Sequence, residues 1–552
     1  MRGRHFPGKG WLSLLLAAVL CLLSGCNKAE SIRMDLSRRV TSLDPQFSTS
    51  WESQVVMLNL FEGLLLRQGN GELIPGAAES YQVSADGLTY TFQLRRDGVW
   101  NDGSLRNGID PTPVTAKDFV FSFHRIFDPE VPSPWAGDFQ AIKNSQEVLS
   151  GELPKSQLGV RAAGDYTLII TLSEPSSILL EQLAGPGALP CNEEFFLSTW
   201  ARYGQGIGQI LGNGPFRLSS WDQEALVLAP SSFYSGEQEV LCPSVILYTG
   251  RAGEKGTTEW DLFLKGKSDF CQATTRQAVE AEEKGFPLVL ADETVWALVF
   301  RQEEGEPLAN REIRRALALS VDPDSFGDRV PELFGRTNSL IPRTASLMGE
   351  GYHDLASSQP ISFDPEAARA ALEEGFTQLG IEALPKLTLL LPKSAELDAL
   401  GGYLQKLWQQ ELRQTINLEV VEDEEFQKRI SAGEFQLAIT SLSREGGTPM
   451  GALSAFTGGN SRNVANYWNP EFDALLAKAQ SAADLRGAAA ACAEGEGLLL
   501  SDGAAVPLLT QQGYCAMSKD LQGLDYRADR ILFSGAYRGG QAPTSTPSPP
   551  AG

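Results

Sequence analysis

Leu88-Thr89-Tyr90-Thr91-Phe92-Gln93-Leu94-Arg95 sets the pattern from which the fold is read. From Tyr90 to Leu94 apolar and polar residues alternate, the two-residue period of a strand with one face buried. Tyr166 to Leu172 reads the same way. Elsewhere the period changes. Arg311 to Leu319 puts Ile313, Ala316 and Leu317 on one helical face, and Leu404, Leu407, Trp408 and Leu412 mark a second helix. A strand from Asn417 to Val421 follows, and Leu437-Ala438-Ile439-Thr440 is a short apolar run of the kind buried inside a sheet. Between Ile32 and roughly Arg538, short β-rich runs thus mix with helical periods. That mixture predicts an α/β protein rather than a bundle or a repeat array.

The two ends of the chain differ from this body. Arg2, Arg4 and Lys9 precede an apolar run from Trp11 to Leu23, broken by Ser13. The run is too short to span a bilayer and sits behind a basic start, which predicts a signal peptide over residues 1–25. It closes on Leu23-Ser24-Gly25-Cys26, a motif that resembles the lipobox of bacterial lipoproteins, where the cysteine thiol accepts a diacylglycerol. Cys26 is therefore the expected lipid attachment and residues 26–30 a polar tether. The mature chain is expected outside the cytoplasm, anchored to the cell membrane rather than inserted in it. Residues 539–552 carry four prolines and no charge, and read as a disordered tail.

Composition narrows the chemistry. The 552 residues suffice for several domains or two large lobes. With 46 basic against 69 acidic residues the chain carries a net charge of −23, which repels nucleic acid and rules it out as an expected partner. Only His124 and His353 lie beyond the signal segment, and neither sits in a ligand-like cluster. His124 falls in Phe119-Val120-Phe121-Ser122-Phe123-His124-Arg125, an apolar stretch that reads as packed on a core. A zinc site or a Ser-His-Asp triad needs more than this, and no G-x-S-x-G elbow occurs. Gly266-Lys267-Ser268 imitates the end of a P-loop, but Asp261 takes the place of its first glycine. Gly204-Gln205-Gly206-Ile207-Gly208 lacks the dinucleotide spacing and reads as a loop. No catalytic residue, metal or cofactor is assigned, and a carboxylate-dependent hydrolase is the one enzymatic alternative. Cys191, Cys242, Cys271, Cys492 and Cys515 follow Cys26 without a CxxC pair. Spacing alone assigns no disulfide, and an odd number leaves at least one thiol free or paired with another molecule.

A series of short motifs runs through the body in a fixed order. It opens with Ser42-Leu43-Asp44-Pro45-Gln46, Leu60-Phe61-Glu62-Gly63-Leu64-Leu65 and Pro75-Gly76-Ala77-Ala78-Glu79-Ser80-Tyr81. The strand from Leu88 to Arg95 follows, then Val99-Trp100-Asn101-Asp102-Gly103 and Val114-Thr115-Ala116-Lys117-Asp118-Phe119. Farther on come Asn213-Gly214-Pro215-Phe216-Arg217-Leu218, a helix from Asn310 to Asp322, and Tyr467-Trp468-Asn469-Pro470. Pro45 and Pro215 punctuate element ends, and Gly103 and Gly214 are expected in tight turns. In this order the motifs resemble the extracellular solute-binding proteins of family 5, the oligopeptide-, dipeptide- and nickel-binding proteins of ABC importers. Residues 105–112 intrude where that family runs straight on, a surface-loop insertion.

The resemblance implies two α/β lobes of the periplasmic-binding-protein type, joined by a hinge, with an extra domain inserted in the first. The first lobe would take residues 31–61, 190–293 and 510–538, the inserted domain 62–189, and the second lobe 294–509. It further implies a monomer that captures a peptide between its lobes by hinge closure and hands it to membrane permease subunits. Nickel, a metallophore or a peptide pheromone are the alternative ligands on the same fold. In peptide-binding relatives the strand and loop corresponding to Ile439–Pro449 pair with the ligand, so Ser441, Leu442 and Ser443 are expected there. An acidic residue four positions before the proline receives the peptide's α-ammonium, which points to Glu445, a position usually held by aspartate. Leu442 and Ser443 stand where a relative has tryptophan and a disulfide cysteine, and Ile430 and Ile439 where some relatives carry basic residues. Trp135 and Trp51 are expected to border the cleft as rigid aromatic contacts, whereas Trp408 and Trp468 are assigned to packing.

Overall fold

The structure, a computed structural model, describes residues 30–101, 111–236, 239–253, 256–322, 326, 334–356, 363–442, 447–460, 462–482, 484–527 and 530–539. The expected signal peptide, Cys26, Ser443, Glu445 and all of the expected tail but Gly539 lie outside the described residues. The alternating run at Leu88–Arg95 is the strand Thr89–Leu94, with Tyr90, Phe92 and Leu94 buried. It pairs antiparallel with Ala78–Val83 on one side and Thr167–Thr171 on the other, and Val160–Ala162 completes a four-stranded sheet. Against this sheet packs the helix Ala116–Ile126, whose Phe119, Phe123 and Ile126 are fully buried on one face. Thr115 and Asp118 form a capping box at its start. Each buried phenylalanine contributes about 1.5–3 kcal/mol relative to exposure.

A second four-stranded sheet runs in the order Ile32–Leu36, Val245–Thr249, Ala225–Pro230, Phe216–Trp221, its first pair parallel. It shares one hydrophobic core with the sheet just described, from Ile32 through Phe92 and Phe123 to Phe533. Separate cores belong to the other half of the molecule. One gathers Val295, Tyr352, Phe472 and Leu499, another Phe300, Leu317, Leu389 and Trp408. The seven-stranded sheet between them has Leu387–Pro392 parallel to both Ile416–Val421 and Leu437–Ser441, the α/β arrangement expected.

Two long strands join the halves. Leu288–Phe300 and Ala505–Met517, 13 residues each, pair antiparallel along their length. At one end Val289, Ala291, Cys515 and Met517 belong to the first core, and at the other Val295, Ala297 and Ala505 belong to the second. The ladder slips between Leu290 and Asp292 and again between Trp296 and Ala297. Such bulges bend a strand pair and sharpen its twist. The result is two lobes linked by a short, paired crossover.

Several local expectations need correction. The helix at Asn310 runs Arg311–Leu319 and stops short of Asp322. Ser320 ends it, donating its hydroxyl to the Leu317 carbonyl at 2.9 Å. Gly214 is required by a close approach rather than by a turn. A Cβ there would lie 2.8 Å from the backbone of Leu60 and Phe61. Trp408 packs as expected, fully buried with Nε1 donating to the Leu317 carbonyl at 3.1 Å. Trp468 does not: it is 73% exposed, on the chain just before the helix Pro470–Gln480. The five cysteines from Cys191 to Cys515 are free and buried. Of the insertion at 105–112 only its last two residues are described, and Trp100 N–H donates to Thr112 O at 2.8 Å beside a Val99–Pro113 bridge.

Candidate ligand-binding cleft

The lobes face each other across a cleft holding two adjoining cavities, of about 540 and 680 Å3. Arg67 and Thr448 line both, so the two form one groove with a wall from each lobe. Volumes of this order suit a small-molecule or short-peptide ligand.

The first cavity is built from chain ends of regular elements. The helix Trp51–Leu60 opens on it, capped by Ser50, whose hydroxyl accepts from Ser53 N–H at 3.3 Å. That cap fixes Trp51 and Glu52 at the cavity wall. Glu259 comes from the start of the helix Glu259–Leu264, where Thr258 and Asp261 form a capping box. Asp292 and Glu293 come from the crossover strand beside its bulge. From the opposite lobe Thr448 caps the helix Pro449–Leu453, accepting from Gly451 N–H at 3.1 Å, with proline at the first helical position where no N–H is needed.

Carboxylates dominate this wall, and most have partners. Asp35 is held by the Arg251 guanidinium at 2.7 and 2.8 Å. Glu293 accepts from Arg343 N–H at 2.7 Å. Burial pushes the Glu259 carboxyl above its ordinary pKa against a hydrogen bond from Ser37, and the neighbouring Asp35 and Glu52 charges add to the rise.

The second cavity is floored differently. Trp135 donates its indole N–H to the Pro45 carbonyl at 3.0 Å. It lies against Gly187, where a Cβ would come within 2.8 Å of the ring. The loop carrying Pro45 is itself tied down. Arg125 grips Asp44 through both guanidinium nitrogens, at 3.0 and 2.6 Å, and the pair is buried. Arg67, Arg462 and Arg530 bring positive charge to this end of the groove.

Beside the groove the lobes touch. Ser177 donates its N–H and hydroxyl to the Gln480 and Ala479 carbonyls, at the C-terminal end of the helix Pro470–Gln480. Ile178 packs against the second-lobe core, and Glu181 accepts from Met348 N–H. Two hairpin turns also meet, Gly71 against Gly349, both at positive φ.

Of the residues expected at a ligand, Trp51 lines the first cavity and Trp135 the second, and both are half-buried. Ser441 is exposed at the end of Leu437–Ser441, opposite Trp296. Leu442 is buried in the second-lobe core, and its N–H donates to the Val295 carbonyl at 2.8 Å. Neither Ser441 nor Leu442 lines the two cavities. Ser443 and Glu445 lie outside the described residues, between Leu442 and the cavity-lining Gly447. Glu52, Glu259, Asp292 and Arg67 were not legible as site residues. The nearest sequence signal to any of them is Trp51, expected at the cleft and adjacent to Glu52 in the chain. His124 and His353 line neither cavity.

Residues 72–463 match the model described as Bacterial extracellular solute-binding proteins, family 5 Middle. The chain belongs to this family. It is 29% identical over 530 residues to the periplasmic oligopeptide-binding protein OppA of Escherichia coli (strain K12), covering 92% of each chain. It is 25% identical over 480 residues to the dipeptide-binding protein DppE of Bacillus subtilis (strain 168), covering 85% of this chain and 84% of the relative. Among solved structures, Listeria monocytogenes OppA bound to peptide superposes with a TM-score of 0.66 at 22% identity, over 93% of this chain and all of that one. The family is one of binding proteins, and the fold is its two-lobed α/β architecture. Among the described residues no helix is long and apolar enough to cross a membrane.

Proposed function

We propose that this chain is the peptide-binding component of an ABC importer. The observation that carries the reading is the groove itself, with walls from both lobes and a paired crossover about which they can close. The oligopeptide- and dipeptide-binding proteins to which the chain is similar support a peptide as the ligand. Closure around the peptide leaves its backbone to pair with the strand end near Leu442 and the loop beyond it. Glu445 receives the α-ammonium in this reading. In this reading the lobes divide at 293/294 and 509/510, and the pairing of Leu288–Phe300 with Ala505–Met517 supports a hinge there. A monomer tethered through lipid on Cys26 would stay on the extracytoplasmic face, near the permease it serves.

The test is incubation of the purified protein with a defined peptide library, followed by mass spectrometry of bound and free fractions. A binding protein removes certain peptides in proportion to protein amount and releases them intact. Cleavage products that accumulate with time would instead establish a hydrolase.

A further inference from the structure

We infer that the first cavity is a side-chain pocket for a cation, so that the protein selects peptides carrying a lysine or arginine. This deepens the peptide reading above and rests on it.

Glu52 is the key residue. It lines the cavity yet is only 6% exposed, and among the described residues no hydrogen bond or ion pair meets its carboxylate. The electrostatic neighbour it does have is another carboxylate, Glu259. Its place in the first helical turn supplies a favourable dipole, but a dipole end does not replace a counter-charge for an anion so withdrawn from water. Two carboxylates sharing a cavity wall repel each other until a cation sits between them. An ammonium or guanidinium entering here would neutralise both and recover the hydration they have lost.

The rest of the wall suits such a group. Trp51 and Tyr526 border the cavity, and aromatic faces attract cations and cover the aliphatic stem of a lysine or arginine. Arg38, Arg67 and Arg527 also border it, and Arg527 is already committed to the Gly69 carbonyl. Asp35 is likewise committed, to Arg251. With Asp35 set aside, and with Asp292 and Glu293 also holding partners, Glu52 and Glu259 are the carboxylates that line the cavity without an ion pair among the described residues. A neutral side chain would fill the volume without meeting the charge, and an acidic one would add to the repulsion.

The experiment is titration calorimetry of the mature protein with alanine tripeptides. Each carries a single lysine, norleucine or glutamate, at each position in turn. At one position lysine should bind about tenfold or more tighter than norleucine, which matches its length without its charge, and glutamate weaker than both. In the Glu52→Gln, Glu259→Gln double variant that lysine-to-norleucine ratio should fall close to one, and in Glu52→Lys glutamate should overtake lysine. Equal binding of lysine and norleucine at all three positions of the wild type overturns the inference and leaves peptide binding intact. A ratio that survives in a double variant of unchanged melting temperature also overturns it. Binding of no tripeptide at all would bring down this inference together with the peptide reading.

Discussion

Replacing Gly349 with alanine should prop the cleft open. Gly349 turns the short hairpin Ser346–Leu347/Glu350–Gly351 of the second lobe at φ +88, and it abuts the first-lobe hairpin that turns at Gly71. A Cβ at 349 would sit 2.7 Å from Glu72 N and 2.9 Å from its Cα, where ordinary contact begins near 3.4 Å. Both obstacles are backbone, so no side chain can swing away. Two costs follow. An alanine at positive φ strains the turn by about 1–2 kcal/mol whether the lobes are open or closed. The clash is paid only when the hairpins meet, and overpacking of this kind costs about 1–3 kcal/mol. It should therefore shift the closed-to-open ratio about 5- to 150-fold and weaken ligand affinity by up to that factor. Gly305→Ala supplies the control. Its φ is +87 and nothing lies within 4 Å of the added methyl, so it carries the strain without the clash. Lobe separation is read by single-molecule energy transfer between labels on the two lobes, and affinity by calorimetry. If Gly349→Ala closes and binds as Gly305→Ala does, the hairpin contact plays no part in closure.

Three further outcomes are expected. If Glu445 receives the peptide's α-ammonium as proposed, Glu445→Gln should weaken peptide binding by about two to three orders of magnitude, because removing one partner of such an ion pair costs about 3–5 kcal/mol. An N-acetylated peptide should lose as much, and the two changes together far less than their sum by calorimetry. Cys26→Ala should move the protein from the membrane fraction to the medium or periplasm, and a variant that stays membrane-bound sinks the lipid-anchor reading. Asp502 ties the helix Arg311–Leu319 to the motif at Tyr467–Asn469. Arg311 donates to it at 2.6 Å, Tyr467 at 2.8 Å and Asn469 at 3.0 Å. Burial alone would raise its pKa, but these three hydrogen bonds outweigh it and hold the carboxyl below its ordinary 3.8. The stability it contributes is complete above that value and is lost as pH falls through the lower folded value. Asp502→Asn should thus cost about 1–3 kcal/mol at pH 7 by urea denaturation, with the gap to wild type narrowing below about pH 4. A gap that is constant with pH would mean the charge contributes nothing.

Much of the architecture was legible in the chain because it depends on neighbours in sequence. Alternation at Thr89–Leu94 and the helical face at Arg311–Leu319 follow from periods of two and 3.6 residues, and both elements formed where those periods place them. Asn310 ahead of its helix, with its side chain accepting from Glu312 and Ile313 N–H, is likewise a local signal. The ordered motifs carried the family for the same reason. Trp51 and Trp135 were singled out as cleft residues, and each lines a cavity. What the sequence could not determine is which distant residues meet. Glu52, Glu259 and Asp292 share a wall although more than 200 residues separate the first from the second. Nothing in the neighbourhood of any one of them encodes the others. Trp408 and Trp468 make the same point from packing. The two are one residue type, each beside a helical pattern, yet one is wholly buried and the other 73% exposed. Burial is decided by what the rest of the chain brings against a side chain, through contacts that exist only once the lobes have folded and the crossover strands have paired.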